Sequence, residues 1–358
     1  MDTPEATTPM YYDWTRTFSY NADVTMVITK RDRGKTMGIR IAALRDAIRH
    51  GYRFVEIVRH SNSELPEVMA GYFDKLAMLD EFRQYEFKVE ARRGYYRTAA
   101  EEDEENKAPW QLACYFAALS DAQNAKKRTY INVKKIIFDE ALIEPSPYHR
   151  YLPREWETLA NLVDTVTRET GHGDGIRPHL YMCSNACSLV NPYFAAWGID
   201  TKPEYGYSWH MGHRVLLHYE DPALAPDRSS TTLAGRMIAG TNEGRTALEN
   251  EFITALEDDI YTKPARATFW MGLIYMGTEF GIWADYDDGY YYVTRGIPKN
   301  SKLVYALTRA DNSANRLIAR RATPAMKVIA SAHDARMIRY DSVGTREQLL
   351  DALQMFGI

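Results

Sequence analysis

Cysteine is scarce. Three residues, Cys114, Cys183 and Cys187, serve 358 positions. They are too few, and odd in number, for a disulfide framework, so a reducing compartment, the cytoplasm, is expected. No run of about 18 apolar residues occurs, which excludes an ordinary membrane-spanning helix and predicts no membrane partner. The opening MDTPEATTPMYYDW has no basic stretch followed by an apolar core, so no signal peptide is expected. Positive charge is not in excess either. The chain carries 44 Lys and Arg against 48 Asp and Glu, a net of −4. That excludes a uniformly basic coat for nucleic acid and leaves room for a local basic face. Internal repeats and low-complexity segments are absent.

What remains is the composition of an ordinary globular protein, 45% apolar and 26% charged. At about 150 residues per domain the length predicts two domains. Short β-branched or apolar runs alternate with helix-spaced segments as far as residue 200. Strands are predicted at 24–28, 54–58, 131–138 and 180–183. Helices are predicted at 35–50, 64–80, 110–122 and 153–169, and a hairpin over 85–98 around Gly94. The acidic run Glu101–Glu105 reads as a solvated loop. Strand–helix alternation predicts an α/β domain with a mostly parallel sheet and helices on both faces. Residues 200–232, with Pro203, Pro222 and Pro226, read as a linker, and 245–260 as helical. From Phe269 the chain becomes strand-rich, with Asp287-Asp288-Gly289 as a turn and a closing helix over 346–355.

The most informative segment is Thr29-Lys30-Arg31-Asp32-Arg33-Gly34-Lys35-Thr36. It lies between a predicted strand and a predicted helix, where a phosphate-binding loop must lie. Backbone amides there cradle phosphates, the lysine reaches the β- and γ-phosphates, and the hydroxyl ligates Mg²⁺. Against the pattern G-x-x-x-x-G-K-[ST], Thr29 replaces the first glycine. Taken alone, the segment is also compatible with a plain exposed basic loop.

A second element raises the weight of the first. Lys134-Lys135-Ile136-Ile137-Phe138-Asp139-Glu140 is an apolar strand ending in two acids. A nucleotide hydrolase needs one carboxylate for the Mg²⁺ shell and another to orient or activate water. Asp139 suits the first role and Glu140 the second. Candidate metal ligands are thus Thr36 and Asp139, with ATP and Mg²⁺ as the expected cofactors. At the tip of the fourth strand, Asn185 in Met182-Cys183-Ser184-Asn185-Ala186 either senses the γ-phosphate or caps a turn. His210, His213 and His218 have neither helix spacing nor paired cysteines, and predict no metal.

Together, Arg31 ahead of Gly34-Lys35-Thr36, the segment IIFDE and CSNACSLVNPYF at 183–194 resemble the DNA-encapsidation ATPases of small tailed phages (podoviruses), relatives of the large terminase subunits. FVEIVRHSNSE and AGTNEGRTALENEF are similar too. The group's loop pattern is G-x-R-x-x-G-K-T, which Arg31 matches and Thr29 does not. The resemblance implies a P-loop ATPase of the additional-strand class over 1–200 and a linker and helical region over 201–260. Over 261–358 it implies a smaller α+β domain resembling a vestigial RNase H-like nuclease. It further implies an ATP-driven motor moving double-stranded viral DNA through a portal (connector) into a procapsid. The motor would be a homo-oligomeric ring, five subunits by resemblance, in the host cytoplasm and transiently docked on the procapsid, with a packaging RNA as a further candidate partner. Arg168 takes the place of an arginine finger supplied to a neighbour, or else is a helix-end cation.

In the last domain, Leu273–Thr278 lacks the aspartate that a nuclease would place on its first strand. Asp285, Asp287 and Asp288 read as turn residues, so nuclease activity is expected to be lost. Residues 314–340 hold Arg316, Arg320, Arg321, Lys327, Arg336 and Arg339 against Asp334, a net of +5, which suits either solvent or a phosphate backbone. Two other readings compete with the motor. One is a terminase-like ATPase with a live metal-dependent nuclease, and the other a nucleotide-binding vertex protein that does not hydrolyse.

Overall fold

A computed structural model describes residues 12–99, 108–143, 151–169, 177–189, 191–199, 201–225, 233–238, 240–252 and 259–354. The acidic run 101–105 lies outside them. The chain divides into two compact units, residues 1–187 with 203–252, and residues 188–202 with 253–358. Among the described residues no helix is long and apolar enough to cross a membrane.

The first unit runs α1 (Trp14–Ser19), β1 (Val24–Ile28), α2 (Lys35–His50), β2 (Arg53–Val58), α3 (Glu64–Ala70), α4 (Asp74–Ala77), β3 (Tyr85–Glu90), β4 (Arg93–Thr98), β5 (Gln111–Ala118), α5 (Ala122–Ala125), β6 (Val133–Phe138), α6 (Glu155–Glu169) and β7 (His179–Ser184). The chain then gives α7 (Pro192–Trp197) to the second unit. It returns for β8 (Gly206–His210), β9 (Val215–Tyr219), α8 (Leu233–Ile238) and α9 (Asn242–Leu248).

Nine strands form one sheet in the order β3-β4-β5-β2-β6-β7-β1-β9-β8. Its centre, β5 to β9, is parallel, and an antiparallel hairpin finishes each edge. One strand, β7, separates β1 from β6, and all three end on the same side. Central strands buried on both faces need near-continuous apolar runs, as VTMVI and IIF are. Helix α2 starts after Gly34 (φ 66°) and stops at Gly51 (φ 69°), whose N–H reaches the Ala47 carbonyl at 3.0 Å. It buries Ile39, Ala43, Leu44 and Ala47, one face at helical spacing, against Phe54, Phe116 and Ile137 of the sheet.

Four local expectations are corrected. Residues 111–118 are the strand β5, not a helix, because QLACYFAA runs between β4 and β2 and is buried along most of its length. Its alanines favour helix only when sheet neighbours are ignored. The segment expected as a linker contains β8 and β9; VLLHY is buried throughout and pairs with β1. Pro203 and Pro222 fall outside both strands, and Pro226 lies outside the described residues. The helix expected over 64–80 is two short helices parted at Gly71. The 85–98 hairpin forms, but it turns at Ala91 (φ 48°) and Arg92 (φ 61°). Gly94 sits inside β4 for another reason: a Cβ there would lie 2.5 Å from Cys114 Sγ.

The second unit holds β10 (Thr268–Tyr275), β11 (Thr278–Asp285), β12 (Tyr290–Arg295), β13 (Val304–Ala306), β14 (Leu317–Ile318), α10 (Pro324–Asp334), β15 (Ile338–Tyr340) and α11 (Val343–Gln354). Strands β10, β11 and β12 are an antiparallel meander, and β13 then β14 add in parallel beside β10. Met271, Leu273, Phe280, Ile282, Met326, Ile329, Leu349 and Leu353 form its core.

Candidate functional site

The loop from Thr29 to Thr36 joins the end of β1 to the start of α2. Two of its residues take the left-handed region, Asp32 (φ 61°) and Gly34 (φ 66°). Thr29 does not, so its backbone conformation has no need of the glycine that the loop pattern carries there. It is fully buried, and its N–H reaches the Ser184 carbonyl at 3.2 Å, which ties the loop to the end of β7. Of the remaining loop residues, Lys30 is half-buried, Arg31 and Asp32 are exposed, and Arg33 and Lys35 are buried.

Four of the residues expected in the site converge. Lys35 Nζ donates to Asn185 Oδ1 at 2.7 Å. Thr36 Oγ1 donates to Asp139 Oδ1 at 2.9 Å. Position 35 is the first of α2, Asp139 follows the end of β6, and Asn185 follows the end of β7. Three neighbouring carboxyl strand ends thus bring a cation, a hydroxyl, a carboxylate and an amide together, beside a helix N-terminus with unsatisfied N–H groups. Burial pushes the Lys35 ammonium below its ordinary range, although the carboxylates of Asp139 and Glu140 pull it back up. A desolvated ammonium among amides suits an anion. A hydroxyl paired with a carboxylate is a hard oxygen donor set of the kind Mg²⁺ takes. The residues present therefore fit a nucleoside triphosphate with its cation.

Glu140 is exposed, in the left-handed region (φ 51°), and its N–H reaches Asp139 Oδ1 at 3.0 Å. Arg59 at the end of β2 holds this turn. Its guanidinium donates to the Glu140 carbonyl at 3.3 Å and to the Ala141 carbonyl at 2.9 Å, and pairs with fully buried Glu155 at 3.0 Å. The ends of β6 and β7 are stapled by Ala141 N–H on the Cys183 carbonyl, 3.1 Å, and Leu142 N–H on Ser184 Oγ, 2.9 Å. Burial pushes the Cys183 thiol well up, so it stays neutral and is not a nucleophile.

Arg168 does not join the cluster. It is exposed near the end of α6 and pairs with Asp164 one turn earlier at 3.1 Å. The histidines are likewise apart from one another in role. His218 stacks on Tyr207 and meets Tyr12 Oη at 2.6 Å, His210 meets Ser208 Oγ at 3.0 Å, and His213 stacks on Trp209. Among the described residues no three His, Cys, Asp or Glu side chains are grouped to hold a metal.

Several loop partners have no motif to announce them. Arg33 forms a buried two-oxygen pair with Glu220 after β9, Nε to Oε1 at 3.0 Å and to Oε2 at 3.1 Å. The Arg31 N–H is taken by the Ala247 carbonyl at 3.0 Å. The Tyr12 N–H reaches the Arg33 carbonyl at 2.7 Å, and Trp14 Nε1 reaches the Lys35 carbonyl at 2.9 Å. The one sequence signal for Trp14 is Gly38, a glycine inside a helix, where it costs roughly 1 kcal/mol relative to alanine. A Cβ at 38 would lie 2.8 Å from Trp14 Cδ1.

In the second unit Asp285 ends β11. Its carboxylate accepts the Asp287 N–H at 3.1 Å and Arg266 Nε at 2.9 Å, while Asp288 also pairs with Arg266. Of the basic residues, Arg316 donates to the Asp311 carbonyl at 2.9 Å and Arg339 pairs with Asp259 at 2.7 Å. Arg320, Arg321, Lys327 and Arg336 are exposed.

The family described as Podovirus DNA encapsidation protein (Gp16) matches residues 7–354. The DNA packaging protein of Bacillus phage B103 is 30% identical over 293 residues, 82% of this chain and 84% of that relative. The DNA packaging protein of Bacillus phage phi29 is 29% identical over 309 residues, 86% of each chain. A chain in the solved phi29 viral genome packaging motor assembly aligns with a TM-score of 0.66 at 26% identity, covering 97% of this chain and all of that one.

Proposed function

Because the chain belongs to the podovirus DNA encapsidation protein family, we propose that this DNA packaging protein is an ATP-driven motor that pumps double-stranded viral DNA through a portal into a procapsid. The observation that carries the hydrolytic part is the convergence of Lys35, Thr36, Asp139 and Asn185 at three adjacent strand ends, with Glu140 next in the chain. Lys35 Nζ, now on Asn185, would take the terminal phosphate oxygens, and the N–H groups at the start of α2 the rest. Thr36 and Asp139 would hold Mg²⁺, which would neutralise phosphate charge. Glu140 would accept the proton of the attacking water as its oxygen bonds to the γ-phosphorus and the bond to the leaving ADP oxygen breaks. Asn185, touching the lysine that would touch phosphate, would register loss of the γ-phosphoryl group.

The sheet, with one strand between the loop strand and the acid-tipped strand, supports the additional-strand class. In the second unit a three-strand meander with two parallel strands beside its first supports an RNase H-like ancestry. Asp285 is engaged by a turn and by Arg266, which supports loss of the nuclease. The relatives' names and the motor assembly support work in a DNA packaging motor; we further propose a ring of subunits on a portal in the host cytoplasm, with a packaging RNA as a candidate partner.

Phosphate release, measured with and without duplex DNA, tests the proposal. The parent should hydrolyse ATP faster with DNA present. Lys35→Ala should bind ATP about ten- to hundredfold more weakly, the range for losing hydrogen bonds from a charged group. Parent protein that releases no phosphate from ATP under either condition would contradict the reading. DNA binding should ignore base sequence, since a translocating motor grips backbone. If Arg320, Arg321, Lys327 and Arg336 each neutralise one phosphate, affinity should fall with salt at a log–log slope of about −3.6. Strong preference for one duplex sequence at fixed salt would contradict it.

A further inference from the structure

The phosphate loop is held from outside by a segment that no nucleotide motif includes. Tyr12 and Trp14 are both 5% exposed, although they belong to the start of the described chain. Tyr12 is fixed by three contacts. Its hydroxyl bridges Thr17 Oγ1 at 2.5 Å and His218 Nδ1 at 2.6 Å, and its N–H holds the Arg33 carbonyl. Thr17 in turn meets Tyr207 at 2.9 Å. The Trp14 indole packs edge-on to Tyr12 and Tyr181 and stacks on Phe18. It lies in the space left open at Gly38, and its N–H points to the carbonyl of Lys35 itself.

A planar trans peptide directs its C=O and its N–H oppositely. Holding the Arg33 and Lys35 carbonyls therefore turns the N–H groups of Gly34 and Thr36 to the side away from Tyr12 and Trp14. Those two N–H groups are among the donors at the α2 N-terminus that have no partner within the helix. Resting on the nucleotide-site reading, we infer that residues 12–14 are a strap for the phosphate loop, with Trp14 a positioning residue for the phosphate-facing amides. The strap acts on binding and not on the hydrolytic step, because it touches neither Asp139 nor Glu140. Its ligand is the phosphate chain of a nucleoside triphosphate, reached through the loop backbone.

The test uses the full chain as parent, Trp14→Phe and Gly38→Ala, titrated with a non-hydrolysable ATP analogue and Mg²⁺. Trp14→Phe keeps an aromatic ring but loses the donor and part of the indole's volume, so affinity should fall by at least about three- to tenfold, the range for one neutral hydrogen bond. The turnover rate at saturating ATP should stay within about twofold. Gly38→Ala, which drives the indole from its place while keeping its N–H, should weaken binding in the same direction. Indole emission gives an independent readout. Nucleotide should alter it in the parent, and Trp14→Phe should lose that part of the change. If Trp14→Phe keeps the parent's affinity and emission change, the strap is overturned. If both variants merely melt earlier while binding normally at low temperature, Trp14 is structural only and the strap is again overturned. Lys35→Ala separates the two levels. Normal nucleotide binding by Lys35→Ala removes the site reading itself, whereas weak binding there with normal binding in Trp14→Phe removes only the strap.

Discussion

Glu140→Gln should bind ATP like the parent and hydrolyse it about 10²- to 10⁴-fold more slowly, the usual contribution of a positioned general base. The substitution keeps the shape of the side chain. Among the described residues Glu140 makes its hydrogen bonds through its backbone, to Arg59 and Asp139, and those bonds survive. The Lys35–Asn185 and Thr36–Asp139 contacts lie elsewhere and should not move. Binding and chemistry are therefore separable at this position. Single-turnover phosphate release beside equilibrium binding of the analogue measures both. Hydrolysis at the parent rate would assign the water-activating role to another group. Equal loss of binding and hydrolysis would make Glu140 part of the phosphate cradle instead.

The parts of this site that were legible in the sequence are those whose chemistry is local along the chain. A β-branched run, a basic loop ending Gly34-Lys35-Thr36 and a helix-spaced stretch follow one another within 27 residues, Val24 to His50. The acids after β6 sit at the end of their own strand. Each could be placed because strand periodicity says where a chain leaves the sheet, and parallel strands leave it on one side. Asn185 was legible for the same reason.

What stayed hidden depends on partners far away in the chain. Arg33 reads as one more loop cation until Glu220, 187 positions later, takes two hydrogen bonds from it in the interior. Nothing local to Trp14 in the sequence gives it a partner until the fold lays it against Gly38. Strand β5 reads as a helix from sequence because Ala, Leu and Phe serve a buried helix and a buried strand equally well, and only its neighbours decide. Strands β8 and β9 were masked by the prolines and glycines around them, which mark turns as readily as a linker. Arg168 poses the opposite problem. Its place in chain order is legible, yet a residue proposed to act on a neighbour would leave no trace in its own subunit.

Arg168→Ala should therefore have an effect that depends on assembly. Among the described residues Arg168 is exposed and pairs with Asp164, one turn away. A pair of that kind on a helix surface contributes about 0.3–0.5 kcal/mol, so the isolated variant should fold and bind ATP like the parent. In assembled rings with DNA, a finger supplied to a neighbour contributes on the order of 10³–10⁵ in rate, and hydrolysis should fall accordingly. Arg168→Ala and Glu140→Gln rings should each be nearly inactive. When the two are mixed, an interface that joins a sound Glu140 to a sound neighbouring Arg168 is competent again, so hydrolysis should return. Recovery needs the two residues to act across one interface, because no subunit in the mixture carries both. Rings shown to contain both variants and still inactive would remove the trans role and leave Arg168 as a helix-end cation paired with Asp164.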